Sequence, residues 1–105
     1  MTALDNLSKL LSRLPGVGPK SASRIAFSLI NTPADYNALL AKNIAEIKDK
    51  VKPCSICGSY TENDPCPVCS DPVRDRTQLC IVEQPQDVLT IQASGAYNGL
   101  FHVLG

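Results

Sequence analysis

Leucines recur every three or four positions at the start of the chain, and this is the spacing of one face of an α-helix. They are Leu4, Leu7, Leu10, Leu11 and Leu14. Pro15 and Gly16 interrupt the pattern, which predicts a first helix near residues 3–14.

A second apolar stripe begins after Pro19, a residue that suits the first helical turn because no N–H is needed there. Thr32 resembles the N-cap of a third helix, with Pro33 in the first helical position. Asp35 completes a motif similar to a capping box. The two stripes predict helices near 19–31 and 33–51. Their members are Ala22, Ile25, Ala26, Leu29 and Ile30, then Tyr36, Leu39, Leu40, Ile44, Ile47 and Val51.

The helical pattern then gives way to a segment, residues 53–76, that is rich in proline and cysteine and too poor in apolar residues for an ordinary core. The short apolar run at 79–82 is typical of a strand buried on both faces. A helix is expected over 85–94, ended by Gly95, and a second strand over 100–104. We therefore predict an α+β protein of several modules. Two strands alone are too few for a stable sheet, so a fragment of a longer domain is expected.

Charge changes this picture, because the formal net charge of zero hides an asymmetry. Residues 1–52 carry eight basic and four acidic side chains, a net charge of +4, and residues 53–105 carry two and six, a net charge of −4. Such a division favours modules with different partners, one of them a nucleic acid. Ordinary solvated surface charge is the alternative explanation.

The sequence has no apolar stretch long enough to cross a membrane and no signal peptide at its start, so we expect a cytoplasmic protein. In a reducing compartment its five cysteines are expected to be metal ligands or thiols, not disulfides.

Four of those cysteines form two C-x2-C pairs separated by eight residues: Cys54, Cys57, Cys66 and Cys69. Two tight turns that face each other would bring four thiolates into a tetrahedron, the closed geometry of structural zinc, with one ion per chain. Gly58 follows the second ligand, where a tight turn often needs a positive φ.

A redox C-x-x-C motif at Cys66 and an iron–sulfur cluster are the alternatives to zinc. The redox motif belongs at the start of a helix that follows a strand, and the surrounding sequence does not indicate one. Cys80 is expected to be a buried small apolar residue, and His102 is not expected to be a ligand because four thiolates complete the site.

The turn between the first two helices combines Gly16 and Gly18 with Lys20 and Arg24. Glycines allow backbone N–H groups to approach a ligand, and a helix start adds further donors and the positive end of a dipole. The two cations lie on one helix face, so we predict a phosphate site that holds DNA without reading its sequence. A plain connector between helices is the alternative.

These motifs together resemble the RecR family of bacterial recombination mediators. LPGVGPKSASRIAF is similar to its helix-hairpin-helix, the cysteine cluster to its zinc finger, and LCIVEQPQDVLTIQASGAYNGLFHVLG to the start of its Toprim domain. The corresponding modules are residues 1–52, 53–76 and 77–105. The family's members are about twice as long as this chain, and the resemblance covers only the start of their Toprim domain.

The resemblance implies ring-like homo-oligomers that act on DNA with RecO or RecF and help to load recombinase at single-strand gaps. An alternative is a Toprim enzyme that uses magnesium, with Glu83 as its glutamate. The sequence contains no D-x-D pair, and one carboxylate is too few for such a metal, so we expect no enzyme activity and assign Glu83 to the surface or to a partner contact. A zinc ribbon that binds only protein is the third possibility.

Overall fold

A computed structural model describes residues 2–105 of the chain. These residues divide into two compact units, one that ends at Ala45 and one that begins at Glu46. We refer to them as the helical unit and the cysteine unit. In the described part of the chain no helix is both long and apolar enough to span a membrane.

Three helices follow the predicted apolar stripes. Thr2 and Asp5 form a capping box at the start of the first, and Pro19 occupies the first turn of the second. The third helix continues into the cysteine unit. The helices are α1 (Ala3–Ser12), α2 (Pro19–Ile30) and α3 (Ala34–Lys50).

The prediction of Thr32 as an N-cap is wrong. Its hydroxyl donates to the carbonyl of Ser28, 2.8 Å away, and so binds the last turn of α2 instead of the first turn of α3. A threonine near a helix end can satisfy either the free carbonyls behind it or the free N–H groups ahead of it, and the sequence does not distinguish the two.

The core of the helical unit is small. Helix α1 packs on α2, and the buried side chains of α2 are those of Ala22 and Ala26. The larger apolar side chains are exposed, with 64% of Ile30 and 65% of Ile44 accessible to solvent. Much of the apolar surface that the sequence pattern predicts as core is therefore uncovered in a single chain.

The cysteine unit contains the predicted strand, helix and strand, preceded by a small hairpin and a short helix that the sequence did not predict. Strands β1 and β2 are antiparallel, and β3 and β4 are parallel, with Cys80 opposite Phe101 and Val82 opposite Val103. The elements are β1 (Lys52–Pro53), β2 (Tyr60–Thr61), α4 (Pro67–Ser70), β3 (Asp75–Val82), α5 (Pro85–Ser94) and β4 (Gly99–Val103).

The prediction that the apolar run in β3 is buried on both faces is wrong. Leu79 and Ile81 are each 60% exposed, whereas Cys80 and Val82 pack against the core. Only the face that bears Cys80 and Val82 meets the core containing Val88 of α5.

The cysteine segment does not form a core of its own but shares one with the elements that follow it. Three of the cysteines are buried together with side chains of α4, α5 and β4 in one cluster. The predicted boundary near residue 76 therefore runs through a shared core, although the three-module division remains a prediction at the level of domains. The cluster consists of Cys54, Cys57, Cys66, Val68, Val88, Phe101 and Val103.

Candidate metal centre and nucleic-acid interface

Each cysteine pair lies on a tight turn, as the spacing predicts. In the first turn the carbonyl of Cys54 accepts the N–H of Gly58, 2.9 Å away, and Gly58 has a φ of +85°. In the second turn Cys66 precedes α4 and its carbonyl accepts the N–H of Ser70 at 3.0 Å. The predicted need for positive φ at Gly58 is confirmed.

The two turns bring the four cysteine sulfur atoms together, all within 4.8 Å of one another. The Sγ atoms of Cys54 and Cys69 are 3.9 Å apart, and those of Cys57 and Cys66 are 3.6 Å apart. Tetrahedral zinc with Zn–S bonds of about 2.3 Å places its sulfur ligands about 3.8 Å apart. The cluster therefore fits one zinc ion with a closed coordination shell, which supplies structure and not catalysis.

Backbone N–H groups point at three of these sulfurs. Cys66 donates to the Sγ of Cys54 at 3.3 Å, Ser59 to that of Cys57 at 3.4 Å, and Cys69 to that of Cys66 at 3.4 Å. Such bonds favour thiolates, because they place donors beside the negative charge.

Burial opposes this preference for the thiolate. It raises the pKa of Cys57 to about 11 and the pKa of Cys69 still further. It also acts to raise the pKa of Cys54, but N–H donors in both turns outweigh it and hold that pKa at about 7. At neutral pH the protein alone therefore keeps the Cys57 and Cys69 thiols protonated, and a divalent cation binds by displacing their protons.

The metal centre is joined to β4. The carbonyl of Cys57 accepts the N–H of Val103 at 2.8 Å, and a Cβ added at Gly58 would lie 3.1 Å from the Cβ of Val103. This close approach gives Gly58 a second reason to lack a side chain. Formation of the zinc site and docking of the strand are thus parts of one structure.

Two arginines that belong to neither predicted motif hold the parts of the cysteine unit together. Arg76 donates to the carbonyls of Cys69 and Asp71, each at 3.2 Å. Arg74 donates to the carbonyls of Tyr97 and Gly99 at 3.1 and 3.3 Å, and its side chain is only 8% exposed. The sequence contains a signal for them, because they are the only lysine or arginine residues in positions 53–105 and lie five and seven residues after Cys69.

A redox motif at Cys66 and a metal site that includes Cys80 or His102 both fit the structure less well than one site of four cysteines. Cys66 does cap a helix, as a redox motif would require, but that helix has only four residues and Cys66 is also close to the first cysteine pair. Cys80 is half-buried against the core and His102 is exposed on β4. Neither belongs to the metal-ligating cluster found within residues 2–105.

The hairpin lies in the helical unit, between α1 and α2. Gly16 has a φ of +78°, and the N–H of Val17 is donated to the carbonyl of Leu14. Gly18 is the N-cap of α2 and offers no side chain to cap it. For residues 2–105, no protein acceptor is found for the backbone N–H groups of Gly18, Lys20 and Ser21.

The predicted cations lie on the helix that begins with these N–H groups. Lys20 and Arg24 are exposed on α2, whose first turn carries no acidic residue. Neither cation forms an ion pair within the described part of the chain. Glu83, by contrast, belongs to the cysteine unit, where its side chain is exposed and its carbonyl accepts the N–H of Gly105 at 3.0 Å.

Comparison with known proteins gives matches to both units. Residues 4–48 match the family model of the RecR helix-hairpin-helix, and residues 51–71 match that of the RecR four-cysteine zinc finger domain. The chain is 50% identical over 103 residues to the recombination protein RecR of Bifidobacterium longum, covering 98% of this chain and 52% of that protein. It is 51% identical over 106 residues to the RecR of Treponema denticola, covering 100% and 54%. The chain thus spans about half the length of these curated relatives.

Proposed function

Because this chain belongs to the RecR family of recombination proteins, we propose that it binds DNA without regard to sequence and acts in recombinational repair. In this role it helps to load recombinase at single-strand gaps, as part of an oligomeric clamp that works with RecO or RecF in the cytoplasm. The names of the family models and relatives denote recombination proteins and no catalytic activity.

The observation that carries the proposal is the uncapped start of α2. Side chains accept backbone N–H groups at the starts of α1, α4 and α5. At α2 the N-cap is Gly18, so the N–H groups of the first turn remain available to an anion and the helix dipole favours one. A phosphate is the anion that Lys20 and Arg24 would then flank.

Contacts with phosphates position the DNA but do not recognise its base sequence, because every phosphate is chemically the same. A single hairpin is expected to bind weakly, with dissociation constants on the order of 10⁻⁴–10⁻⁶ M at physiological salt. Several hairpins presented by an oligomer would bind one DNA more tightly. Self-association is therefore a necessary part of the proposed clamp.

Helix α3 supports the self-association. Tyr36, Leu40, Ile44 and Ile47 lie on one face of the helix, and each is exposed. An apolar stripe of this length in water favours a protein interface. A second copy of the chain is the occupant that the proposed oligomer would supply.

We propose no catalysis at Glu83. The sequence lacks the further carboxylates that a magnesium site would need, and Glu83 is exposed in the described structure. A magnesium-dependent nicking or primer-synthesis activity that disappears in Glu83→Gln would refute this part of the proposal.

The DNA-binding proposal is tested by fluorescence anisotropy with a labelled oligonucleotide over a series of salt concentrations. We expect Lys20→Glu and Arg24→Glu to bind more weakly and with a shallower salt dependence, because each loses a contact that releases a counterion. Lys42→Glu makes the same charge change on an exposed position of α3 and is the matched control. Arg74→Glu is unsuitable as a control, because the buried Arg74 supports β4.

Zinc content and helicity should be unchanged in both hairpin variants. If they bind DNA like the wild type, or if Lys42→Glu weakens binding equally, the hairpin is only a connector. A chain that binds no DNA even at low salt would favour a zinc ribbon that binds only protein.

A further inference from the structure

A cavity of about 530 Å³ in the cysteine unit is lined by residues of the β1–β2 hairpin and of helices α4 and α5. Its apolar wall includes Val68 of α4 and Val88 and Leu89 of α5, and Val68 is 8% and Val88 2% exposed. Clefts of this size, with apolar walls and a few polar groups, are typical of binding sites for small ligands and single side chains. Because three separate elements form the walls, the cavity exists only in the folded unit.

Ser59 contributes a polar side chain to this lining. The residue is 3% exposed, its N–H donates to the Sγ of Cys57 at 3.4 Å, and its carbonyl accepts the N–H of Cys54 at 2.6 Å. Within residues 2–105 its hydroxyl has no hydrogen-bond partner, whereas the hydroxyl of Thr61 donates to the carbonyl of Asn63 at 2.7 Å. Buried hydroxyls are usually paired, because an unpaired one is unfavourable. Ser59 therefore offers a fixed hydrogen-bonding group that the protein itself does not use.

The Ser59 hydroxyl can be reached from the cavity. Fully enclosed side-chain N or O atoms without a partner occur in residues 2–105 at Asn37 and Arg74, but not at Ser59. The oxygen of Ser59 thus retains some accessible surface, and the cavity is the opening that this buried residue lines.

The charge of the lining is negative. Glu62 lines the cavity together with the amide side chains of Asn63 and Gln92, and no lysine, arginine or histidine is among the described residues that line it. Residues 53–105 as a whole carry a net charge of −4. A phosphate or carboxylate in the cavity would be repelled, whereas a cation joined to an apolar group would be attracted.

We propose that this cavity binds a peptide segment of a partner protein in which an apolar residue adjoins a lysine or arginine. The apolar side chain packs against Val68 and Val88, a backbone amide of the segment bonds to the hydroxyl of Ser59, and the cation lies beside Glu62. Two consecutive residues of a peptide supply all three groups. The site belongs to the cysteine unit, and the inference does not rest on the proposed DNA contact of the hairpin.

The probe is the blocked dipeptide acetyl-Leu-Arg-amide, titrated into the isotope-labelled, zinc-loaded full chain and followed by NMR. We expect the amide signals of Ser59, Thr61, Val88 and Gln92 to shift, and those of α1 and α2 to stay in place. A dipeptide is small, so its dissociation constant should be on the order of 1 mM. The matched probe acetyl-Leu-Glu-amide should bind about two- to fivefold more weakly, because its carboxylate lies near Glu62.

The variant Ser59→Ala tests the hydroxyl with two measurements that should change in opposite directions. Binding of acetyl-Leu-Arg-amide should weaken about two- to tenfold, the usual effect of losing one neutral hydrogen bond. The Tm of the free protein should rise, because the variant removes a buried hydroxyl that has no partner. Thr61→Val is the control, since it removes a paired hydroxyl and should lower the Tm.

The variant Glu62→Gln tests the charge. It should abolish the preference for acetyl-Leu-Arg-amide over acetyl-Leu-Glu-amide. Glu83→Gln makes the same charge change at an exposed position outside the cavity and should keep the preference. Zinc content and circular dichroism establish that each variant is folded.

Four results would overturn the inference. They are equal binding of the two dipeptides, signal shifts outside the cavity alone, and a lower Tm in Ser59→Ala, which would mean that the hydroxyl has a structural role. The fourth is pentylammonium, an apolar cation without a peptide group, binding as tightly as the dipeptide, which would assign the cavity to a small amine. Shifts of the same four amide signals by a dT oligonucleotide would assign it instead to nucleic acid and would equally refute the peptide site.

Discussion

The chain has two phenylalanines, one in each unit, and they are in opposite environments. Phe101 is 3% exposed in β4, packed with the cysteine cluster and edge-on to Tyr97, with the ring centres 5.0 Å apart. Phe27 is 57% exposed on α2, where the buried positions hold only the alanines Ala22 and Ala26. The same side chain is core in one unit and surface in the other.

The difference shows two ways in which a small unit compensates for a small core. The cysteine unit joins its segments through one metal centre, and the sheet and α5 pack against that centre. The helical unit has no described metal-ligating cluster within residues 2–45 and leaves apolar side chains exposed. We infer that it obtains the missing burial from another chain.

Zinc removal should therefore produce the largest difference between the two units: the cysteine unit should unfold and the helical unit should not. Structural zinc contributes an apparent binding energy of about 10–16 kcal/mol at neutral pH, far more than a small core supplies. We expect chelation, or Cys57→Ser, to abolish zinc binding and to collapse the NMR signals of the cysteine unit, including β4, while those of α1 and α2 change little.

Cys80→Ser is the control for this experiment, because Cys80 packs beside the cluster but is not one of the four clustered cysteines. It should retain one zinc per chain by elemental analysis. Persistence of the β4 amide signals after chelation would disprove the link through Cys57 and Val103. Iron in place of zinc would overturn the metal assignment.

The two phenylalanines allow the comparison to be measured directly. Phe101→Ala should lower the free energy of unfolding by about 3–5 kcal/mol, because it empties a buried site. Phe27→Ala should change it by no more than about 0.5 kcal/mol in a single chain, because the side chain is mainly in water. Urea titrations of both variants at low protein concentration would test this. An equal loss in both would mean that Phe27 is covered.

The smallest effect on stability, but a decisive one for assembly, is expected at α3. Ile44→Lys places a charge in the exposed apolar stripe and should shift the protein toward monomer, with little change in unfolding. Sedimentation analysis over a range of concentrations would measure it. Ile81→Lys is the matched variant on the exposed face of β3. If Ile81→Lys alone dissociates the assembly, the chains associate through the sheet and not through the helices.

Features that depend on a few neighbouring residues were predictable. The helices α1, α2, α3 and α5, the two cysteine turns and the positive φ of Gly58 all depend on local spacing or on one residue's conformational freedom. Errors arose where a residue had two possible partners. Thr32 bound the helix behind it, and the apolar run of β3 found packing on only one of its faces.

The sequence by itself thus determined the kinds of elements and the chemistry of the metal site, which is four thiolates for zinc. That the glycines and cations of the hairpin hold a phosphate is our proposal. The tertiary structure alone decided that the zinc site and β4 share a core, that Arg74 and Arg76 support it, and that most of the large apolar side chains of α2 and α3 stay exposed. The physical reason is range. Helical periodicity and ligand spacing act over a few residues, whereas burial depends on which distant segments meet, and no local pattern specifies that meeting.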